Sequence, residues 1–169
     1  MALTRRQIGF LVRFAVLCLI FYIPIAVPAV ERVTVAPFTR GLATVSGAIL
    51  HAIGQDVKTE GTTIRGGMFA VDIKNGCNGI EAIVFLCAAI VAFRASFRMH
   101  LIGVVVCCCS IESLNVIRIV SLFLIGQYRQ MAFETFHLAI WQTIIFAGCI
   151  LLFSVWVSRV KRTDAVAAR

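Results

Sequence analysis

The chain has 169 residues, of which 60% are hydrophobic and only 14% charged, too few charged groups to cover a soluble globule. Its 16 Lys and Arg against 8 Asp and Glu give a formal charge of +8. Those cations flank apolar runs instead of forming an aromatic-interleaved basic patch, so composition excludes a soluble domain, argues against nucleic acid, and describes an integral membrane protein.

Apolar stretches at about 8–30, 78–93, 99–125 and 136–157 approach or exceed the roughly 17–25 residues that span a bilayer as a helix. The first resembles a signal peptide in its Arg5-Arg6, apolar core and Val27-Pro28-Ala29. Its apolar run is long for such a segment, so span one is read as a retained anchor. The second, 78–93, is the shortest, and reaches full length only if Cys77 and its neighbours sit at the interface. Arg5, Arg6 and Arg13, then Arg94 and Arg98, then Arg159, Lys161, Arg162 and Arg169 mark the cytoplasmic side by the positive-inside rule. Residues 31–77 and 126–136 then lie outside, with nearly balanced charge.

The expected fold is an all-α integral membrane protein. It is a single membrane domain over 1–169, with four transmembrane helices and a small extracytoplasmic cap over about 31–77. Within the cap, Phe38, Leu42, Val45, Ile49 and Ile53 recur at helical spacing and Gly54 follows as a stop, which predicts an amphipathic helix on the membrane surface. Thr62 to Arg65, a Gly66-Gly67 turn and Met68 to Ile73 predict a β-hairpin running towards Cys77. Gly76 and Gly79 bracket that cysteine, where the backbone can bend tightly.

Helix rise places the reactive groups. From Leu101 to Arg118 is about 25 Å along a core of roughly 30 Å, so Arg118 lies near the outer face. His137 begins the fourth span at that face and Cys77 begins the second. A thiolate attacks carbonyls, an imidazole can take its proton and return it to a leaving amine, and a guanidinium can stabilise an oxyanion. Singly, each residue has an ordinary reading as an inert interfacial thiol, a boundary histidine or a snorkelling arginine. Their conjunction on one face, with Asn115 one turn below Arg118, points to a site.

Glu81, one turn beneath Cys77, and Glu112, two turns beneath Arg118, are buried carboxyls that need a partner or a proton. One of them is expected to orient Arg118 or His137, with a structural inter-helix bond as the alternative. Glu134 is expected to be solvated. Thiol-disulfide exchange normally needs a pair of thiols, yet Cys77 has no partner on its side and no Cys-x-x-Cys exists among the seven cysteines, which disfavours an oxidoreductase. The Cys107-Cys108-Cys109 run reads as small apolar packing. His51, His100 and His137 fall on different elements, so no metal site and no cofactor is expected. A non-catalytic membrane scaffold is the remaining alternative to an enzyme.

Gly76-Cys77-Asn78-Gly79-Ile80, then Asn115-Val116-Ile117-Arg118-Ile119, then His137 opening the next span resemble the exosortase/archaeosortase family over roughly residues 35–157, most like exosortase H. The resemblance implies a cysteine transpeptidase or peptidase of the bacterial inner membrane, multi-pass, with its site facing the periplasm. Nucleophile, oxyanion-stabilising residue and acid/base carry over as Cys77, Arg118 and His137. The implied partners are the lipid bilayer and exported proteins ending in a sorting motif, a transmembrane helix and a basic tail. For the H branch the motif would resemble Ile-Pro-Thr-Leu. Many family members have about eight spans, whereas this chain keeps the catalytic core, and Asn78 stands where a small residue such as serine is common.

Overall fold

A computed structural model describes residues 4–167; Arg169, counted above with the basic tail, lies outside them. Helix α1, Arg5–Ala26, starts with a capping box in which the Thr4 hydroxyl accepts from Gln7 N–H and the Gln7 carboxamide accepts from Thr4 N–H. It ends where Val27 turns extended ahead of Pro28, the conformation that a following proline imposes. Helix α2, Pro28–Ala52, contains a π turn over Glu31–Val35. Three strands follow, β1 Lys58–Glu60, β2 Thr63–Gly66 and β3 Phe69–Asp72, in the antiparallel order β1-β2-β3. Helix α3 is Ile80–Ala92 and α4 is Phe97–Tyr128. Helix α5 comprises Gln130–Thr135, a π turn over Phe136–Ile140, and Trp141–Ala167.

The all-α membrane architecture with a small cap is present, but the helix lengths are distributed differently from expectation. Among the described residues four helices are long and apolar enough to cross a membrane: Arg5–Ala26, Pro28–Ala52, Phe97–Tyr128 and Gln130–Thr163. The stretch expected as the second span forms a helix of only 13 residues, about 20 Å long. The expected surface helix is the C-terminal part of a 25-residue helix, because Pro28 opens a new helix instead of a loop and the chain stays helical through Glu31 and Arg32.

The face of α2 that packs on the rest of the protein is not its apolar stripe. Of Phe38, Leu42, Val45, Ile49 and Ile53, only Leu42 is buried. The packed face is Thr39, Leu42, Ala43, Ser46, Gly47 and Leu50. Small residues let backbones approach, as inter-helix contacts in membranes favour, while large apolar side chains can face lipid. Gly47 illustrates this, since a Cβ there would collide with the Thr59 hydroxyl of β1.

At the sheet-bearing end, Leu42, Ala43 and Leu50 of α2, Ile64 and Ile73 of the hairpin region, and Ile119 and Phe123 of α4 form one core. Burying a side chain such as Ile64 contributes roughly 1.5–3 kcal/mol. The hairpin turn sits one residue later than expected. Gly66 pairs with Phe69, leaving Gly67-Met68 as the turn, with φ of +55° at Gly67, the type of position glycine favours. Strand β1 carried no alternating apolar pattern, being Lys58-Thr59-Glu60 and fully exposed, which is why it was not foreseen.

Away from the sheet, Leu86, Ile90, Cys107, Trp156 and Val160 knit α3, α4 and α5 together. The Trp156 indole donates to Met99 O at 3.0 Å. Helix α1 has no buried residue and leans on α3 through the edge-to-face pair Phe14 and Phe85, centroids 5.0 Å apart. Arg5, Arg6, Arg94 and Val157 line one cavity of about 630 Å³. The start of α1, the turn between α3 and α4, and the far part of α5 therefore meet at one end of the bundle.

Candidate active site

Three elements meet beneath the sheet. Cys77 lies in the loop from β3 to α3, Arg118 on α4 and His137 in the π turn of α5. Arg118 is 21 residues beyond Phe97, about 32 Å along the helix, comparable with the thickness of a hydrocarbon core.

The loop is held from both sides. Cys77 N–H donates to Lys74 O at 2.9 Å, and Gly76 and Gly79 adopt φ of +86° and +81°, a region L side chains enter only with strain. Glu81 in the first turn of α3 reaches back to accept from Gly76 N–H at 2.9 Å. Asn78 is fully buried; its amide donates to Thr39 Oγ1 at 3.0 Å and its Oδ1 accepts from Ile80 N–H at 3.3 Å. Asn75 donates to Glu31 Oε1 at 2.7 Å. Helix α2 thus anchors the loop that carries the thiol.

Around that thiol, Cys77 Sγ and His137 Nε2 share a hydrogen bond at 3.0 Å. Arg118 Nη2 donates towards Cys77 Sγ at 3.8 Å. Arg118 is 4% exposed and its Nε has no partner among the described residues, which leaves part of the guanidinium's donor capacity unused there. The His137 ring stacks on Phe133, centroids 5.5 Å apart at 28°, which fixes its plane. Cys77, Arg118 and His137 share a cavity of about 320 Å³ with β3. A thiol, an imidazole and a guanidinium so arranged can serve acyl transfer through a covalent thioester, as nucleophile, acid/base and oxyanion donor.

The sequence fits the model of the transmembrane exosortase family over residues 1–155. The chain belongs to that family. No curated protein and no solved structure matches it. Membership makes this exosortase a multi-pass membrane protein of a protease or transpeptidase type that works on exported proteins in the bilayer.

The carboxylates do not take the part expected of them. Among the described residues both Glu112 oxygens lack a hydrogen-bond partner, and Glu81 bonds to the Gly76 backbone, so neither is hydrogen-bonded to Arg118 or His137. Glu112 and Asn115 instead pack against Gly79, where a Cβ would collide with the Glu112 carboxylate and come within 2.8 Å of Asn115 Nδ2. The reason is direction: six residues at about 100° each put Glu112 about 120° around α4 from Arg118, on the side that faces Gly79. Asn115 is buried, and among the described residues neither of its amide atoms has a hydrogen-bond partner. Glu134 is exposed.

Thr39, Glu31 and Asn75, which secure the loop, were not singled out from sequence; their contacts cross 39 and 44 positions and leave no local pattern. Phe133 had a weak signal, being one turn before His137. The other thiols stay apart from the site. Cys87 and Cys108 lie 3.4 Å apart between α3 and α4. Among the described residues no group of three His, Cys, Asp or Glu is placed to hold a metal ion. His100 bonds to Phe93 O at 2.9 Å and stacks on Trp156.

Proposed function

We propose that this exosortase is a cysteine transpeptidase or peptidase that cleaves C-terminal sorting signals of exported proteins at the periplasmic face of the bacterial inner membrane. The substrate's transmembrane helix docks in the bilayer and brings its sorting motif to Cys77. His137 takes the thiol proton, the thiolate adds to the scissile carbonyl, and Arg118 donates to the oxyanion that forms. As the tetrahedral intermediate collapses, the carbon–nitrogen bond breaks and His137 returns the proton to the departing amine. The retained protein is left as a thioester on Cys77. Water or an amine of the acceptor then adds to the thioester carbonyl, loses its proton to His137, and releases the thiol.

The observation that carries this reading is the 3.0 Å contact between Cys77 Sγ and His137 Nε2 with Arg118 Nη2 at 3.8 Å. Desolvation strengthens each such interaction, and Arg118 is almost wholly buried. An exported protein carrying a sorting motif, a transmembrane helix and a basic tail should be processed when co-expressed with wild type and accumulate uncut with Cys77→Ala, Arg118→Ala or His137→Ala. Equal processing by all three variants would leave only a non-catalytic membrane scaffold.

A further inference from the structure

The sheet order leaves β3 at an edge, and its hydrogen-bond parity shows which backbone groups are unused. Ile73 N–H donates to Thr62 O at 3.0 Å, and Ile64 pairs with Val71 and Gly66 with Phe69. Bonded and non-bonded pairs alternate along an antiparallel ladder. Phe69, Val71 and Ile73 therefore turn their N–H and C=O groups to β2, whereas Ala70 and Asp72 turn theirs away from it. Among the described residues, the backbone groups of Ala70 and Asp72 make no bond to any other element, and both residues are exposed.

The cavity that holds the thiol runs along this edge. It is lined by every residue from Phe69 to Lys74 and also by Cys77, Arg118 and His137. Successive strand residues point to opposite faces, so a cavity touching six in a row follows their shared edge and not one face. Proteins usually block an open edge with a proline, a bulge or a covering element. Here β3 contains no proline, and its pairing with β2 runs unbroken from Gly66↔Phe69 to Thr63↔Asp72. Gly126 lets the Phe69 ring lie directly on α4, since a Cβ there would strike the ring, and Phe69 also packs edge-to-face on Phe133 at 5.5 Å. These rings line the cavity together with Arg118 and hold the edge in place.

We infer that the substrate segment preceding the scissile bond binds as an extended strand added to the free edge of β3, paired with the backbone of Ala70 and Asp72. Main-chain pairing of this kind recognises an extended peptide largely through its backbone. Strand β3 starts beside the end of α4, where Gly67 approaches Gln127, and leads down to Cys77. A chain that descends past the sheet to the thiol and continues into the bundle runs parallel to β3. This assignment rests on Cys77 being the nucleophile and adds how its substrate is presented.

The test uses acetyl-tetraalanyl chloromethyl ketone, an extended electrophile without a sorting motif, with iodoacetamide as a probe of the thiol alone. Alkylation of Cys77 is followed by intact mass in the full chain. Removing two backbone bonds should cost about tenfold. N-methylation at alternate peptide nitrogens should therefore slow the ketone by about tenfold, while methylation at the intervening ones has little effect. Ala70→Pro, which deletes only an N–H facing away from β2 and suits an edge strand, should slow the ketone and leave iodoacetamide unchanged. Uniform or absent sensitivity to N-methylation overturns the edge-pairing proposal while the nucleophile reading stands. So does an Ala70→Pro protein that reacts with the ketone at the wild-type rate. If iodoacetamide alkylates Cys77 of the wild type no faster than the other cysteines, the nucleophile reading itself fails, and the proposal with it.

Discussion

Cys77 Sγ and His137 Nε2, sixty positions apart in the chain, lie 3.0 Å from each other. The contact joins a loop fixed by α2 to a π turn in α5, and such turns occur often at functional sites. An α-helix without the extra residue of the π turn would rotate the histidine about 100° per position, away from the thiol.

Arg118 is expected to act through its fork of donors and not through charge alone. Arg118→Lys keeps the charge but offers a compact ammonium on a different stem. Processing of a tailed substrate should fall by about 10²-fold or more, the typical loss when an oxyanion donor is removed. Measured by the ratio of cut to uncut substrate over time, near-wild-type processing by Arg118→Lys would show that charge suffices.

The two loop glycines should differ in sensitivity. A Cβ at Gly76 meets nothing within 4 Å, whereas at Gly79 it collides with Glu112 and Asn115. Gly76→Ala therefore incurs only the left-handed backbone cost of about 1–2 kcal/mol. Gly79→Ala adds displacement of two buried polar side chains and should cost about 2–4 kcal/mol in all. Thermal unfolding in detergent should rank Gly79→Ala well below Gly76→Ala; equal midpoints would contradict the packing described here.

Asn78 and Thr39 should behave as a pair. Asn78→Ala leaves the Thr39 hydroxyl without its 3.0 Å donor and frees the Ile80 N–H, with an expected loss of about 1–3 kcal/mol. Thr39→Val should lose less alone. The double variant should be less destabilised than the sum, and additive midpoints would mean the hydrogen bond contributes little.

Glu112 is expected to be dispensable for chemistry. Its two oxygens have no hydrogen-bond partner among the described residues, so a charged carboxylate there is a cost to folding. Glu112→Gln should keep processing within a few-fold of wild type and leave the unfolding midpoint unchanged or higher. A deep loss of processing with an unchanged midpoint would give Glu112 a part in the site that its present contacts do not.

Topology carries its own expectation. Cys109 is exposed on the protein surface and Cys77 is half-buried, yet Cys109 lies midway along α4, facing lipid. A membrane-impermeant maleimide applied from the periplasmic side should modify Cys77 in preference to Cys109. The reverse order would invert or shift the membrane placement.

What the sequence disclosed follows from what each feature depends on. Depth along a helix needs only the rise per residue, so Arg118, His137 and Cys77 could be brought to one level before any contact was known. The glycines beside Cys77 declared a bend because few other residues tolerate one. Facing direction was less accessible. On α2 the large apolar residues mark a membrane-facing stripe, but they do not say which of the other residues pack, and the small side is the one that does. Counting turns places Glu81 beneath Cys77 and Glu112 beneath Arg118, but it does not give the direction in which each carboxylate points, and Glu112 faces Gly79. The exposed strand β1 and the anchors Glu31 and Thr39 depend on pairings across the chain, which composition and period do not encode.

The covalent intermediate is the most direct test of the assignment of Cys77. Purified exosortase should be mixed with a tailed substrate, quenched in acid within the first turnover, and digested for mass spectrometry. The expected result is a Cys77-containing peptide bearing the substrate's new C-terminus, released by hydroxylamine as a thioester is and absent from Cys77→Ala. Cleavage of the same substrate by Cys77→Ala at the wild-type rate, with no adduct in either protein, would contradict it.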